Sequence, residues 1–199
     1  MLDRSIGLFT GILGPVSFPT VFSCGCCSGN ATQGLYYAWE GITRRQGEDA
    51  QINLLLNRAA PWLDIEIYLP YEGKVVVRNK TAKRVSIRIP TWVDRSKLTC
   101  MVDGKTRELS WVGSYLVIDR VKGKSVIELN FPVAEQTIKR TTCGTQYTIH
   151  MRGNTVVDVS PRDTSPTTYK MYLRNHLKTG HKAPMKEVTR FVSSTIPKW

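Results

Sequence analysis

The sequence predicts a mainly β protein, an antiparallel β-sandwich preceded by one N-terminal helix. Three observations carry this. From residue 50 the apolar residues recur with period two in short runs, as in Arg84–Ile89, where Val85, Ile87 and Ile89 alternate with Arg84, Ser86 and Arg88. Turn residues separate these runs at steady spacing, with Asp103-Gly104 the strongest hairpin signal. Only residues 30–45 carry helical periodicity, placing Ala31, Leu35, Ala38, Trp39 and Ile42 on one face.

The strand runs follow in order. Gln51–Leu56 and Asp64–Tyr68 flank the turn Ala60-Pro61, and Lys74–Asn79 and Arg84–Ile89 flank residues 79–82, with Pro90 ending the latter. Leu98–Val102, Ser114–Asp119, Ser125–Phe131, Gln146–His150 and Thr155–Val159 complete the set. In the helix, Ser28 or Asn30 suits the N-cap and Arg44 and Arg45 suit the C-terminal dipole. Gly34 and Gly41 each weaken it by about 1 kcal/mol relative to Ala, so it needs packing partners. The expected division is 1–47 (helix and cysteine segment), 48–135 (sandwich) and 136–199 (strands and a basic extended tail over the sandwich).

The chain has 199 residues and a net charge of +12, with 41% apolar and 22% charged residues, an ordinary globular balance that argues against disorder. Residues 1–45 contribute +1, 46–135 contribute +3 and 136–199 contribute +8. The tail charges are singly spaced and accompany no nucleic-acid motif, which favours a solvated face or one packed on an acidic neighbour over nucleic-acid binding. No run approaches the roughly 20 apolar residues of a membrane-spanning helix. The first twenty residues do not fit a signal peptide, because Asp3 is in the leading region and Gly11, Gly14 and Pro15 break the apolar run. They read as a poorly structured lead-in.

Cys24, Cys26 and Cys27 cluster in FSCGCCSGN just before the helix, whereas Cys100 and Cys143 are isolated. Five cysteines cannot form a complete disulfide framework. A thiol at a helix N-terminus is biased toward thiolate, and a thiolate pair is half of a zinc site. Spacing alone leaves a metal or catalytic role and buried inert thiols both open, since His150, His176 and His181 form no metal motif. Tyr36, Tyr37 and Trp39 read as core packing with a sugar pocket as the rival use, and Trp92 as a core anchor at a strand end that could also stack on a sugar. Glu40, Glu66 and Glu72 read as structural.

FSCGCCSGNATQGLYYAWEGI resembles the double-cysteine segment of the β-L-arabinofuranosidase-like enzymes of glycoside hydrolase family 127. INLLLNRAAPW, DIEIYLPYEGKVVVRNKTAKRVSIRIPTWV, MVDGK and SYLVIDRVKGKSVIELNFPV resemble the sandwich that follows their helical barrel, and YTIHMRGNTVVDVSP and APMKEVTRFV resemble the end of one subgroup. The resemblance runs from about Phe22 onward. It implies a retaining glycosidase with a zinc-bound cysteine nucleophile, the zinc held by three Cys and one Glu. Matching motif positions puts the nucleophile, also a zinc ligand, at Cys26 and a second ligand at Cys27; Cys24 receives no role. The helix would be a remnant of an (α/α)6 barrel. The family's acid/base Glu and its E-x-C segment have no counterpart in the roughly 25 residues before Cys26. The resemblance therefore implies the C-terminal part of a larger enzyme, inactive by itself, acting on an arabinofuranoside-like carbohydrate and prone to self-association through the helix's unpartnered face. The alternative is a carbohydrate-binding or structural sandwich module without catalysis.

Overall fold

The structure is a computed structural model that describes residues 16–19, 25–166, 168–180 and 182–186. Most of the lead-in, Cys24 and His181 lie outside the described residues.

In chain order the elements are β1 (Ser17–Pro19), α1 (Gly25–Glu40), β2 (Thr43–Gln46), β3 (Asp49–Ile52), β4 (Arg58–Ala59), β5 (Leu63–Ile67), β6 (Lys74–Asn79), β7 (Arg84–Arg88), β8 (Thr99–Val102), β9 (Lys105–Thr106), β10 (Ser110–Val112), β11 (Tyr115–Ile118), β12 (Val126–Asn130), β13 (Glu135–Thr142), β14 (Thr145–Arg152), β15 (Thr155–Ser160), β16 (Thr168–Lys170) and α2 (Asn175–Thr179). Two sheets make the sandwich, one ordered β10-β11-β7-β3-β2 and the other β4-β5-β6-β12-β8-β9. A separate three-stranded sheet, β13-β14-β15, follows, and β1 pairs with β16.

The predicted alternation explains the core. Ile52, Val85, Ile87 and Leu116 project inward from one sheet and Leu63, Val75, Val77, Ile127 and Leu129 from the other, all fully buried in one cluster. Burying such a side chain contributes about 1.5–3 kcal/mol. The strand pairs are antiparallel with one exception: β3 and β7 are parallel, Asp49 opposite Arg84 and Ile52 opposite Ile87. The antiparallel sandwich that the sequence predicts is thus present, with this one parallel pair inside it. The chain between the pair crosses to the other sheet and lays down β4, β5 and β6 there.

Asp103-Gly104 forms the expected turn, with φ of 52° and 76°, the left-handed pair that a two-residue hairpin requires. The Asp103 carboxylate accepts from the Val126 N–H at 2.8 Å and the Ser125 hydroxyl at 2.8 Å, fastening the turn to β12. These bonds, the Val126 N–H first, hold its pKa below the usual carboxylate value.

The helix spans Gly25–Glu40 rather than residues 30–45. Ile42, expected on its apolar face, is instead 2% exposed in the sandwich core, and Thr43–Gln46 turns back at Gly47 to pair with β3. Core burial and a strand ladder outcompete a helix that two glycines already weaken. Leu35, Tyr36, Tyr37 and Trp39 are all more than half exposed, which corrects the expectation of core packing. β3 ends at Ile52, short of the predicted Leu56, because Asn53 turns its N–H to the Ile42 carbonyl at 2.8 Å and its side-chain amide to the Gly41 carbonyl at 3.0 Å.

Strands continue after residue 135 among the described residues. β13 and β14 are eight residues each, joined at Cys143-Gly144, and Arg152 ties them to α2. Its guanidinium pairs with Glu135 at 3.0 Å and donates to the carbonyls of Leu177 at 3.0 Å and Gly180 at 3.3 Å.

Two substitutions test this packing by chemical denaturation. Ile127→Ala is expected to cost about 2–5 kcal/mol through the lost apolar contacts and the cavity it leaves. Gly73→Ala is expected to destabilise as well, because its Cβ would fall 1.7 Å from the Phe131 carbonyl oxygen. Wild-type stability in either variant would refute the packing described.

Candidate functional site

Cys26 and Cys27 lie in the first turn of α1. A helix N-terminus presents free N–H groups and the positive end of the dipole, which favours thiolate over thiol. Two adjacent soft donors are of the kind zinc takes, but they fall short of a four-ligand site. No group of three or more His, Cys, Asp or Glu able to hold a metal occurs among the described residues.

The other cysteines are apart from this turn. Cys100 is 1% exposed in the sandwich core, where burial pushes its thiol up to about 11. Cys143 is exposed at the β13–β14 turn. His150 shares a hydrogen bond of 3.0 Å with Thr137, and the His176 carbonyl accepts from the Gly180 N–H. The three glutamates have structural partners: Glu66 pairs with Arg78, Glu72 accepts from the Ala183 N–H at 3.0 Å, and Glu40 holds the Tyr36 hydroxyl above its usual pKa through a hydrogen bond.

The C-terminal end of α1 is joined to the sandwich. The Arg58 guanidinium lies 3.6 Å from the centre of the Trp39 ring and donates to the Trp39 carbonyl. Asn53 bonds Gly41 on one side and accepts from the Tyr115 hydroxyl at 2.9 Å on the other.

Beside this junction is a cleft of about 770 Å³. The parallel β3–β7 pair explains its position, because both strands end at the same edge and deliver the segments 53–57 and 89–92 side by side. Ser114, in the turn before antiparallel β11, reaches the same edge, where its carbonyl accepts from the Ile89 N–H at 2.9 Å. The three-stranded sheet closes the far wall. Gly153, at φ +59°, lets its turn rest on Trp92, where any Cβ would come within 2.9 Å of the indole. Trp92 is half-buried against the core, with its ring edge-on to Phe131 at 5.8 Å, so the core-anchor reading and a place on the cleft wall both hold. Its indole N–H is buried without an acceptor among the described residues.

Tyr172 and Arg174 complete the wall. Arg174 donates to the Val156 carbonyl at 2.9 Å and lies 5.4 Å from the Tyr172 ring centre. Arg88, paired through its backbone with Tyr115 in the β7–β11 ladder, is exposed, and its guanidinium makes no hydrogen bond or ion pair among the described residues. Among the described residues no aspartate or glutamate lines the cleft. The sequence reading had found Trp92 but not the two arginines, whose convergence depends on strand order.

This arrangement is a β-sandwich domain with a helix entering one edge and an open cleft beside it. No family model and no curated protein matches the chain. Solved structures do. A β-arabinofuranosidase of glycoside hydrolase family 127 aligns with a TM-score of 0.56 at 20% identity, over 72% of this chain and 28% of that one. A structure described as a glycoside hydrolase aligns at 0.53 and 23% identity, over 67% and 25%. A family 127 β-L-arabinofuranosidase from Geobacillus stearothermophilus T6 aligns at 0.49 and 18% identity, over 68% and 24%. The chain shares its fold with part of the family 127 β-arabinofuranosidase that aligns at 0.56, and it spans about a quarter of the length of each of these three structures. Among the described residues no helix is long and apolar enough to cross a membrane.

The two placed thiols should differ sharply in reactivity. At neutral pH a maleimide reagent with peptide mapping is expected to label Cys143 within minutes and Cys100 only after unfolding, since a thiol held near 11 stays protonated and buried. Equal labelling of both in the native protein would contradict the core assignment of Cys100.

Proposed function

We propose that this chain is the C-terminal part of a retaining glycoside hydrolase acting on arabinofuranoside-like or related sugars, with Cys26 as nucleophile. The observation that carries the reading is the sandwich fold shared with family 127 β-arabinofuranosidases, preceded by a helix whose first turn holds the double cysteine. Cys26 and Cys27 would hold a zinc ion together with residues that the described part of this chain does not supply. Zinc keeps a coordinated thiol deprotonated at neutral pH.

In the retaining scheme the Cys26 sulfur attacks the anomeric carbon as the leaving oxygen departs with a proton from a general acid. Water, giving its proton to the now deprotonated general acid, then displaces the sulfur and restores the thiolate. With no general acid assigned, these 199 residues are expected to bind sugar without turning it over. Leu35 and Trp39, four residues apart on α1, then form the face on which the helical part of the parent would pack, and in isolation that face is the surface for self-association.

Cobalt serves as the test, because thiolate coordination gives it a charge-transfer absorption. Metal-free protein titrated with cobalt is expected to develop that band, to lose it in Cys26→Ser and in Cys27→Ser, and to keep it in Cys143→Ser. No band in the parent protein would remove the metal–thiolate reading. Saccharide binding that survives both Cys26→Ser and Cys27→Ser, without any metal binding, would favour a binding module.

Sedimentation velocity across a concentration series addresses the helix face. A reversible rise in average mass that Trp39→Ser and Leu35→Ser abolish is expected. A concentration-independent monomer would rule out self-association there.

A further inference from the structure

We propose that the cleft beside the α1 junction binds a saccharide carrying a carboxylate, a uronic acid unit, with Arg88 as its charge contact. That the ligand is a saccharide rests on the glycosidase reading above; that it is anionic rests on the cleft's own residues.

Among the described residues four arginines elsewhere meet carboxylates: Arg78 pairs with Glu66, Arg84 with Asp49 and Asp119, Arg152 with Glu135, and Arg162 with Asp158. The cleft gathers Arg88 and Arg174, and no acidic side chain among the described residues lines it. Arg174 has its carbonyl partner at Val156, whereas the Arg88 guanidinium has no partner among the described residues, so its fork is free for a planar carboxylate. Concave walls of low dielectric strengthen such a contact relative to the open surface.

The remaining lining suits a sugar. Trp92 and Tyr172 offer apolar surface, and Asn154, Thr91 and Ser114 offer polar groups for hydroxyls. A volume of about 770 Å³ lies within the usual range for ligand sites, about 300–1,000 Å³.

The test is a calorimetric titration of the whole chain with digalacturonic acid and with neutral galactobiose. Binding of the acid, weakened by salt, with galactobiose much weaker, is the expected result. Arg88→Ala should weaken the acid about tenfold or more, as loss of a hydrogen bond to a charged group does, and Arg88→Lys should retain part of the affinity. Both variants must keep the parent's melting temperature. Equal binding of the two sugars, or an unchanged affinity in Arg88→Ala, would overturn the anionic assignment. Binding of neither sugar would overturn the cleft as a saccharide site while leaving the cobalt result at Cys26 and Cys27 to be judged separately. A failed cobalt titration with intact, Arg88-dependent binding of the acid would reject the zinc-thiolate reading and retain the cleft.

Discussion

Leu63, Val75, Val77, Ile127 and Leu129 on one sheet and Ile52, Val85, Ile87 and Leu116 on the other are withdrawn from water together. Side chains alternate along a strand, so a one-residue slip in either sheet would turn its whole set outward. That penalty locks the registers, and the registers decide what meets at the edge. Asn53 stands next to the α1 terminus because β3 ends at Ile52, and Arg88 faces the cleft because β7 runs parallel to β3. The candidate site is thus a consequence of apolar alternation several residues away.

The tail shows where the excess charge goes. Arg152 spends its donors on Glu135 and on carbonyls near α2, and Asp158 gathers both Arg162 at 2.6 Å and Lys178 at 2.7 Å. These contacts tie the three-stranded sheet to the segment that follows it. Part of the +8 beyond residue 135 therefore performs structural tasks. The exposed β13 strand carries Lys139 and Arg140, and charged residues on an edge discourage pairing with another chain.

Most strands were legible because their signal is local. Lys74–Asn79 was placed to the residue, and the core members of β7, β11 and β12 follow directly from alternation. What escaped depends on distant partners. β2 reads as the end of a helix until Thr43 is paired with Ile52, and β13 has no apolar alternation because its faces are mostly solvated. Leu35 and Trp39 look like core residues in a sequence, since periodicity records an apolar stripe and not its occupant. The double cysteine was visible as a motif, but its use rests on groups beyond the pair. The cleft was almost illegible, because Arg88, Trp92, Asn154 and Arg174 are scattered and only strand order assembles them.

The parallel pairing of β3 with β7 bears on how the chain reaches this state during synthesis. Asp49 leaves the ribosome before its partner Arg84 exists, and three strands of the opposite sheet intervene. At roughly 5–20 residues per second the gap lasts seconds, far longer than the microseconds a local hairpin needs. The β2–β3 hairpin must therefore wait with Ala50 and Ile52 uncovered, beside a helix that already displays Tyr37 and Trp39. The nascent chain passes through an interval in which the apolar surfaces of α1 and β3 lie together uncovered, the kind of interval in which chaperones engage a growing polypeptide.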